Sequence, residues 1–246
     1  MSIASHRQTS LGMPISLPFS TQPVPPLQTG DSLSRAEFER RYEAMPEIKK
    51  AQLIEGIVFM PSPVRLGHHG EPHCDLVGWI AYYRSKTPHL RRGDNSTVRL
   101  DEDNEPQPDA MLLLPSWAGG ATRIDPDDYV SGSPELVCEI CASTVNIDLH
   151  AKLNAYRRNG VKEYLVWRVE DGIINWFELV DGKYELIPAD EQGLIRSKVF
   201  PGLWLDAPAL LAGDLAKVFA AVDAGTSTAE HKAFVARLND RASAHR

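Results

Sequence analysis

The chain has 246 residues, 43% of them hydrophobic and 24% charged, with a formal net charge of −7, which suits one globular domain of roughly 200 residues plus tails. No apolar run approaches the ~20 residues that cross a bilayer, no basic stretch leads into an apolar core as in a secretory signal, and the three cysteines give no disulfide framework, so a cytoplasmic protein is expected. The acidic balance argues against tight, indiscriminate binding to nucleic acid, which needs clustered Lys and Arg, yet a site for divalent cations must itself be acidic.

Residues 1–31 contain five prolines among many Ser, Thr and Gln, the composition of a disordered or loosely docked tail; residues 32–246 are expected to form the domain. Ser34-Arg35-Ala36-Glu37 has capping-box spacing and opens a short helix through Phe38, Arg41 and Tyr42 that Pro46 stops. Leu53 to Met60 reads as one β run closed by Pro61-Ser62-Pro63. From about His69 to Lys86 the residues His69, His73, Leu76, Ile80 and Tyr83 recur at helical intervals. Ser96 to Leu100 is a short strand, and a polar turn leads to Pro108-Asp109 and the apolar run Ala110 to Leu114. Residues 115–134 read as a long loop, Glu135 to Ile140 as a buried strand, and Asn146 to Asn159 as a helix stopped by Gly160. Three strands follow, Lys162 to Val169, Ile173 to Val180 and Tyr184 to Pro188, separated by the hairpin signals Asp171-Gly172 and Asp181-Gly182. Helical stretches at about 207–222 and 228–241 close the chain. The order predicts an α/β domain with a mixed sheet flanked by helices.

Two acids stand out. Pro108 cannot donate to a ladder, so a strand begins at about Asp109, which leaves this carboxylate at a strand edge. Glu139 interrupts the buried run Leu136-Val137-Cys138-Glu139-Ile140, where an ionised carboxylate is costly unless a cation or donor meets it. Acids at the ends of neighbouring strands can hold a hard divalent cation such as Mg²⁺. The other reading is a structural, salt-bridged glutamate beside a chance Pro-Asp. Lys152 lies four residues after Asp148, on one face of the next helix, with Tyr156 one turn further on. On spacing alone an ordinary surface ion pair is favoured over a lysine reaching over the two acids.

The segments LIEGIVFMPSP (53–63), DNEPQPDA (103–110), SPELVCEI (133–140), DLHAKLNAYRRNGVKEYLVW (148–167) and VFPGLWLD (199–206) together resemble the Uma-type family of restriction endonucleases, within the PD-(D/E)XK nuclease superfamily. The resemblance implies a restriction-endonuclease-like core with C-terminal hairpins and helices added, and a DNA endonuclease using Mg²⁺ or Mn²⁺. It implies Asp109 and Glu139 as catalytic metal ligands, with Ile140 beside them able to offer only its backbone. It also implies Lys152 as the motif's lysine and Glu55 as an upstream assisting acid. A homodimer is compatible with it. Two positions depart from the pattern: Cys141 stands where the superfamily motif has its lysine, and Gln52 where relatives often carry glutamate.

Other constellations compete. Cys138 and Cys141 have C-x-x-C spacing, but residues three apart in a strand face opposite ways, which argues against a redox or zinc pair. His69 and His73 are one helical turn apart with Glu71 between them; the spacing H-x-E-x-H turns Glu71 away from the histidine face. A His-based zinc hydrolase is therefore a weaker alternative than histidines bordering the nuclease cleft. A nuclease fold retained as an inactive binding protein is a third reading.

Overall fold

The computed structural model describes residues 23–60, 65–141 and 147–245, with the side chains of residues 147 and 148 left out. Residues 1–22 of the proline-rich segment, the Pro61-Ser62-Pro63 stop and the first residue of the helix expected from Asn146 lie outside the described residues. Residues 27–31 are bound to the domain: Gly30 N–H donates to Val58 O and Val58 N–H to Asp31 O, both at 2.9 Å, and Leu27 is buried.

Helix α1 (Arg35–Glu43) begins where the Ser34 hydroxyl accepts the Glu37 N–H, one of the donors that a helix start leaves open. The segment expected as one strand is a hairpin, β1 (Gln52–Ile54) and β2 (Ile57–Phe59). Its loop, Glu55-Gly56, has φ of +52° and +72°, the double left-handed conformation of a type I′ turn. Asn or Asp would have announced that turn; here Asn104 Oδ1 accepts the Glu55 N–H at 2.8 Å and supplies the support from elsewhere in the chain. A wide, π-type turn (Leu66–Gly70) leads into α2 (Glu71–Lys86).

Strands β3 (Arg91–Gly93), β4 (Val98–Arg99) and β5 (Ala110–Leu113) follow. Residues 115–134 are folded rather than a bare loop: β6 (Thr122–Ile124) and β7 (Val130–Gly132) pair antiparallel, and β4 joins β7 in parallel. Strands this short carry too few side chains to display an alternation. After β8 (Leu136–Cys141), a second wide turn (Ile147–Lys152) enters α3 (Leu153–Arg158). Then come β9 (Glu163–Arg168), β10 (Ile173–Val180), β11 (Lys183–Leu186), β12 (Leu194–Arg196) and β13 (Trp204–Asp206). Helices α4 (Ala207–Leu211), α5 (Leu215–Thr226) and α6 (Ala229–Ala244) complete the described chain. None of the described helices is long and apolar enough to cross a membrane.

The main sheet has six strands in the order β11-β10-β9-β8-β5-β3. Only β8 and β9 pair in parallel, through the α3 crossover; the other neighbours are antiparallel. This is the mixed sheet flanked by helices that the sequence order predicts. β8 is buried along its whole length. Leu136, Cys138 and Ile140 join the large core with α2 and the C-terminal helices, while Val137 and Cys141 join a smaller core with Tyr156 of α3. The two cysteines therefore lie in opposite layers, as strand geometry requires.

The C-terminal elements close over the α2 face. Trp79 meets Trp176 edge to face at 5.5 Å and donates its indole N–H to Trp204 O at 3.0 Å. Gly225 in α5 passes so close to Gly202 that a Cβ on it would stand 2.4 Å from the Gly202 carbonyl oxygen. Only glycine permits that crossing.

Glu163, at the start of β9, is fully buried and accepts hydrogen bonds from Ser197 Oγ and from the Lys198 and Val199 N–H groups. Burial dominates over these donors and pushes its pKa from 4.5 up to about 7. The folded state therefore holds a proton between about pH 4.5 and 7 that the unfolded chain has released. Its contribution to stability is fully present in acid and lost as pH rises through that window, by about 3 kcal/mol in all. Urea titrations at pH 5 and pH 8 should show this loss in the wild type and a flatter dependence in Glu163→Gln.

Candidate active site

Because β5 and β8 run antiparallel, β5 begins where β8 ends. The register Ala110↔Cys138 sets Asp109 opposite Glu139, and residues directly opposite in such a pair share a face. Both acids are buried, at 4% and 3% exposure. Asp109 Oδ2 accepts the Ile140 N–H at 2.8 Å, which ties the start of one strand to the end of the next.

Each acid has its own cations and donors. Lys152 Nζ lies 2.8 Å from Glu139 Oε2, and the Tyr156 hydroxyl donates to Glu139 Oε1 at 2.8 Å. One turn of helix separates these two residues, so a single helix face serves both carboxylate oxygens. Asp109 Oδ1 faces His69 Nε2 at 3.4 Å and Lys50 Nζ at 3.7 Å. Burial by itself would raise the Asp109 pKa. The hydrogen bond from His69 and the charges of Lys152, Lys50 and His69 outweigh it and hold the group at about 2. The same hydrogen bond to Asp109 raises the His69 pKa.

His73 Nε2 stands 3.0 Å from the Asp109 carbonyl oxygen and 2.9 Å from Asp94 Oδ1. Both are acceptors, so the tautomer with its proton on Nε2 suits both. The two imidazoles lie with ring centroids 5.7 Å apart, at the border of the acid pair. The structure thus brings Asp109, Glu139, Ile140, Lys152, Tyr156, His69 and His73 together.

It does not bring Glu55 to them, which corrects the expectation of an assisting acid. Glu55 sits at the tip of the β1–β2 hairpin, and its Oε2 is held by Arg158 Nη1 at 2.7 Å. A turn residue in a left-handed conformation points where the turn dictates, whatever its charge. Gln52 turns its amide oxygen to the Gln107 N–H at 3.4 Å and hydrogen-bonds to neither acid. Lys152 is 5% exposed, which does not fit a solvated ion pair; the Asp148 side chain lies outside the described residues.

Lys50, Asp94 and Asn95 escape sequence reasoning. Lys50 lies in the irregular segment before β1 and Asp94-Asn95 in the turn after β3, where no periodicity marks a buried face. Only tertiary packing brings Lys50 onto Asp109 and Asn95, and Asp94 onto His73.

Among the described residues no three or more His, Cys, Asp or Glu side chains are grouped to hold one metal ion. The acid pair still offers hard oxygens: the Asp109 and Glu139 carboxylates and the Ile140 carbonyl. Asp109 is ionised throughout the neutral range. Such a set fits Mg²⁺ or Mn²⁺, which keep several waters, better than Zn²⁺, which takes three or four protein ligands.

A family model described as "Putative restriction endonuclease", Uma2, matches residues 35–208, the span that contains every residue of this cluster. The crystal structure of a protein from Anabaena variabilis, described as a "putative nuclease belonging to DUF820", superposes with a TM-score of 0.50. The match is 13% identical and covers 74% of this chain and 97% of that one, a likeness of fold. No curated protein matches the sequence. With its family match spanning the sheet and the paired acids, the chain belongs to the Uma2 restriction endonuclease family.

Proposed function

We propose that this protein is an endonuclease that hydrolyses phosphodiester bonds in DNA, with Mg²⁺ or Mn²⁺ held by Asp109, Glu139 and the Ile140 carbonyl. The observation that carries the reading is the buried cross-strand pair Asp109 and Glu139, with the Lys152 ammonium 2.8 Å from one of its carboxylates. Membership in a restriction endonuclease family supports the reaction class and DNA as substrate. When bound, the ion would neutralise phosphate charge and lower the pKa of a water.

The chain's own residues supply the rest. Lys152 and Tyr156 fix both oxygens of Glu139, so that its carboxylate stays oriented in the interior. The Ile140 N–H fixes one oxygen of Asp109 and leaves the other facing His69 and Lys50. His69, a quarter exposed beside that second oxygen, can hold a proton released by an attacking water or pass one to the leaving oxygen. His73 positions the Asp109 backbone through its carbonyl oxygen and does not approach the carboxylate.

Calorimetry should detect binding of Mn²⁺ or Mg²⁺ to the wild type, and Asp109→Asn should abolish it. The same variant should cleave plasmid and oligonucleotide DNA at least about 10²-fold more slowly. Undiminished cleavage by Asp109→Asn would remove this residue from the site. A wild type that binds the ion but cleaves no form of DNA would identify an inactive binding protein.

Lys152 has two expected roles. Lys152→Ala leaves the Glu139 charge buried without its cation, which should cost about 3–5 kcal/mol in urea unfolding. The double variant Glu139→Gln with Lys152→Met should recover most of that loss, since neutral side chains then replace the buried ion pair. In single-turnover cleavage under saturating Mn²⁺, Lys152→Ala should be slower by about 10²-fold. Wild-type stability in Lys152→Ala would show that it does not compensate Glu139.

A further inference from the structure

We infer that Lys50, rather than Lys152, is the side chain that grips the substrate's phosphate. The inference rests on the nuclease reading above and assigns the two lysines of the site different work. The Lys152 side chain is 6% exposed and stands 2.8 Å from Glu139 Oε2. To reach a phosphate it would have to give up a buried ion pair with Glu139, and breaking such a pair is strongly unfavourable. The Lys50 side chain is 28% exposed and 3.7 Å from Asp109 Oδ1, beyond a direct hydrogen bond. Its firm contact is to Asn95 Oδ1, on an exposed residue. An ammonium has three donors, so Lys50 keeps N–H groups for a ligand at the mouth of the site while remaining beside the acid pair.

The surroundings favour a polyanion approaching from that side. His73 Nε2 lies 3.0 Å from the Asp109 carbonyl oxygen and 3.3 Å from Asn95 Nδ2, which places Asn95 alongside Asp109. Arg91 and Arg92, four and three residues earlier on the same edge strand, are exposed and have no acidic partner among the described residues. Even a fully extended chain, at ~3.3 Å per residue, would keep them within roughly 10–13 Å of Asn95. In a chain of net charge −7, such unneutralised cations decide where a phosphate backbone can lie. A backbone running along the face of β3 that Met111 and Leu113 share passes Arg91 and meets Lys50 at Asp109, while Arg92 turns to the opposite layer with Leu112.

The test is binding of a short DNA duplex in EDTA, where no metal supports turnover, followed by fluorescence anisotropy from 50 to 200 mM KCl. Lys50→Met should bind about tenfold more weakly near 0.1 M salt, and the slope of log K against log salt should shrink by about 0.9, one phosphate contact. Lys50→Arg keeps the charge and should keep the slope. Lys152→Met should retain the wild-type slope, and the Lys50 pair decides the matter even if that variant fails to fold. A role for Lys50 confined to holding Asn95 would leave the salt slope untouched. A wild-type slope in Lys50→Met would overturn the inference alone. A wild type that neither binds DNA here nor cleaves it with Mn²⁺ would overturn the nuclease reading and this inference with it.

Discussion

Two carboxylates held side by side inside a protein have lost their water and repel each other when ionised, so everything around them must supply positive charge or hydrogen bonds. In this chain the pairing of β5 with β8 forces that situation by setting Asp109 across from Glu139. Much of the local architecture answers it: Lys152 and Tyr156 on one acid, His69, Lys50 and the Ile140 N–H on the other. The same compensation keeps Asp109 ionised at neutral pH, which is the state a metal ligand needs.

The cationic partners arrive by a shared device. His69 and Lys152 both lie in wide, π-type turns that run directly into helices, Leu66–Gly70 ahead of α2 and Ile147–Lys152 ahead of α3. Such turns are uncommon and concentrate at functional sites. One approaches the sheet end from the α2 side and the other from the α3 side, so the acids receive charge from both layers. The β8-α3-β9 crossover makes this possible, because it returns the chain over the face of β8 on which Glu139 lies.

That geometry also explains the departure from the superfamily motif. Cys141 shares the face of Glu139 but is packed with Val137, Tyr156 and Val166 in an apolar cluster. A charged side chain there would be buried among hydrocarbons. Lys152 reaches the same carboxylate from the helix, with its long stem covered and its ammonium on Glu139. The proposed division of labour, a buried lysine on Glu139 and a more accessible one beside Asp109, rests on the same difference in solvent access.

The sequence by itself determined the mixed α/β order, the capped start of α1 and the hairpins at Asp171-Gly172 and Asp181-Gly182, and it marked the two acids as candidates, because each rests on a local pattern: a cap, a turn dipeptide, a charge inside an apolar run. The family's segments added Lys152, whose burial on Glu139 no spacing rule distinguishes from a surface ion pair with Asp148. Glu55 shows the limit from the other side: its charge and place in the chain suggested a catalytic acid, but a left-handed turn that only Asn104 reveals directs it to Arg158. Lys50 and Asn95 meet Asp109 across more than a dozen residues of chain, through strand pairing and an irregular segment. Which charges share a cleft is set by strand register and layer packing, interactions between residues distant in sequence, and so only the tertiary structure decided it.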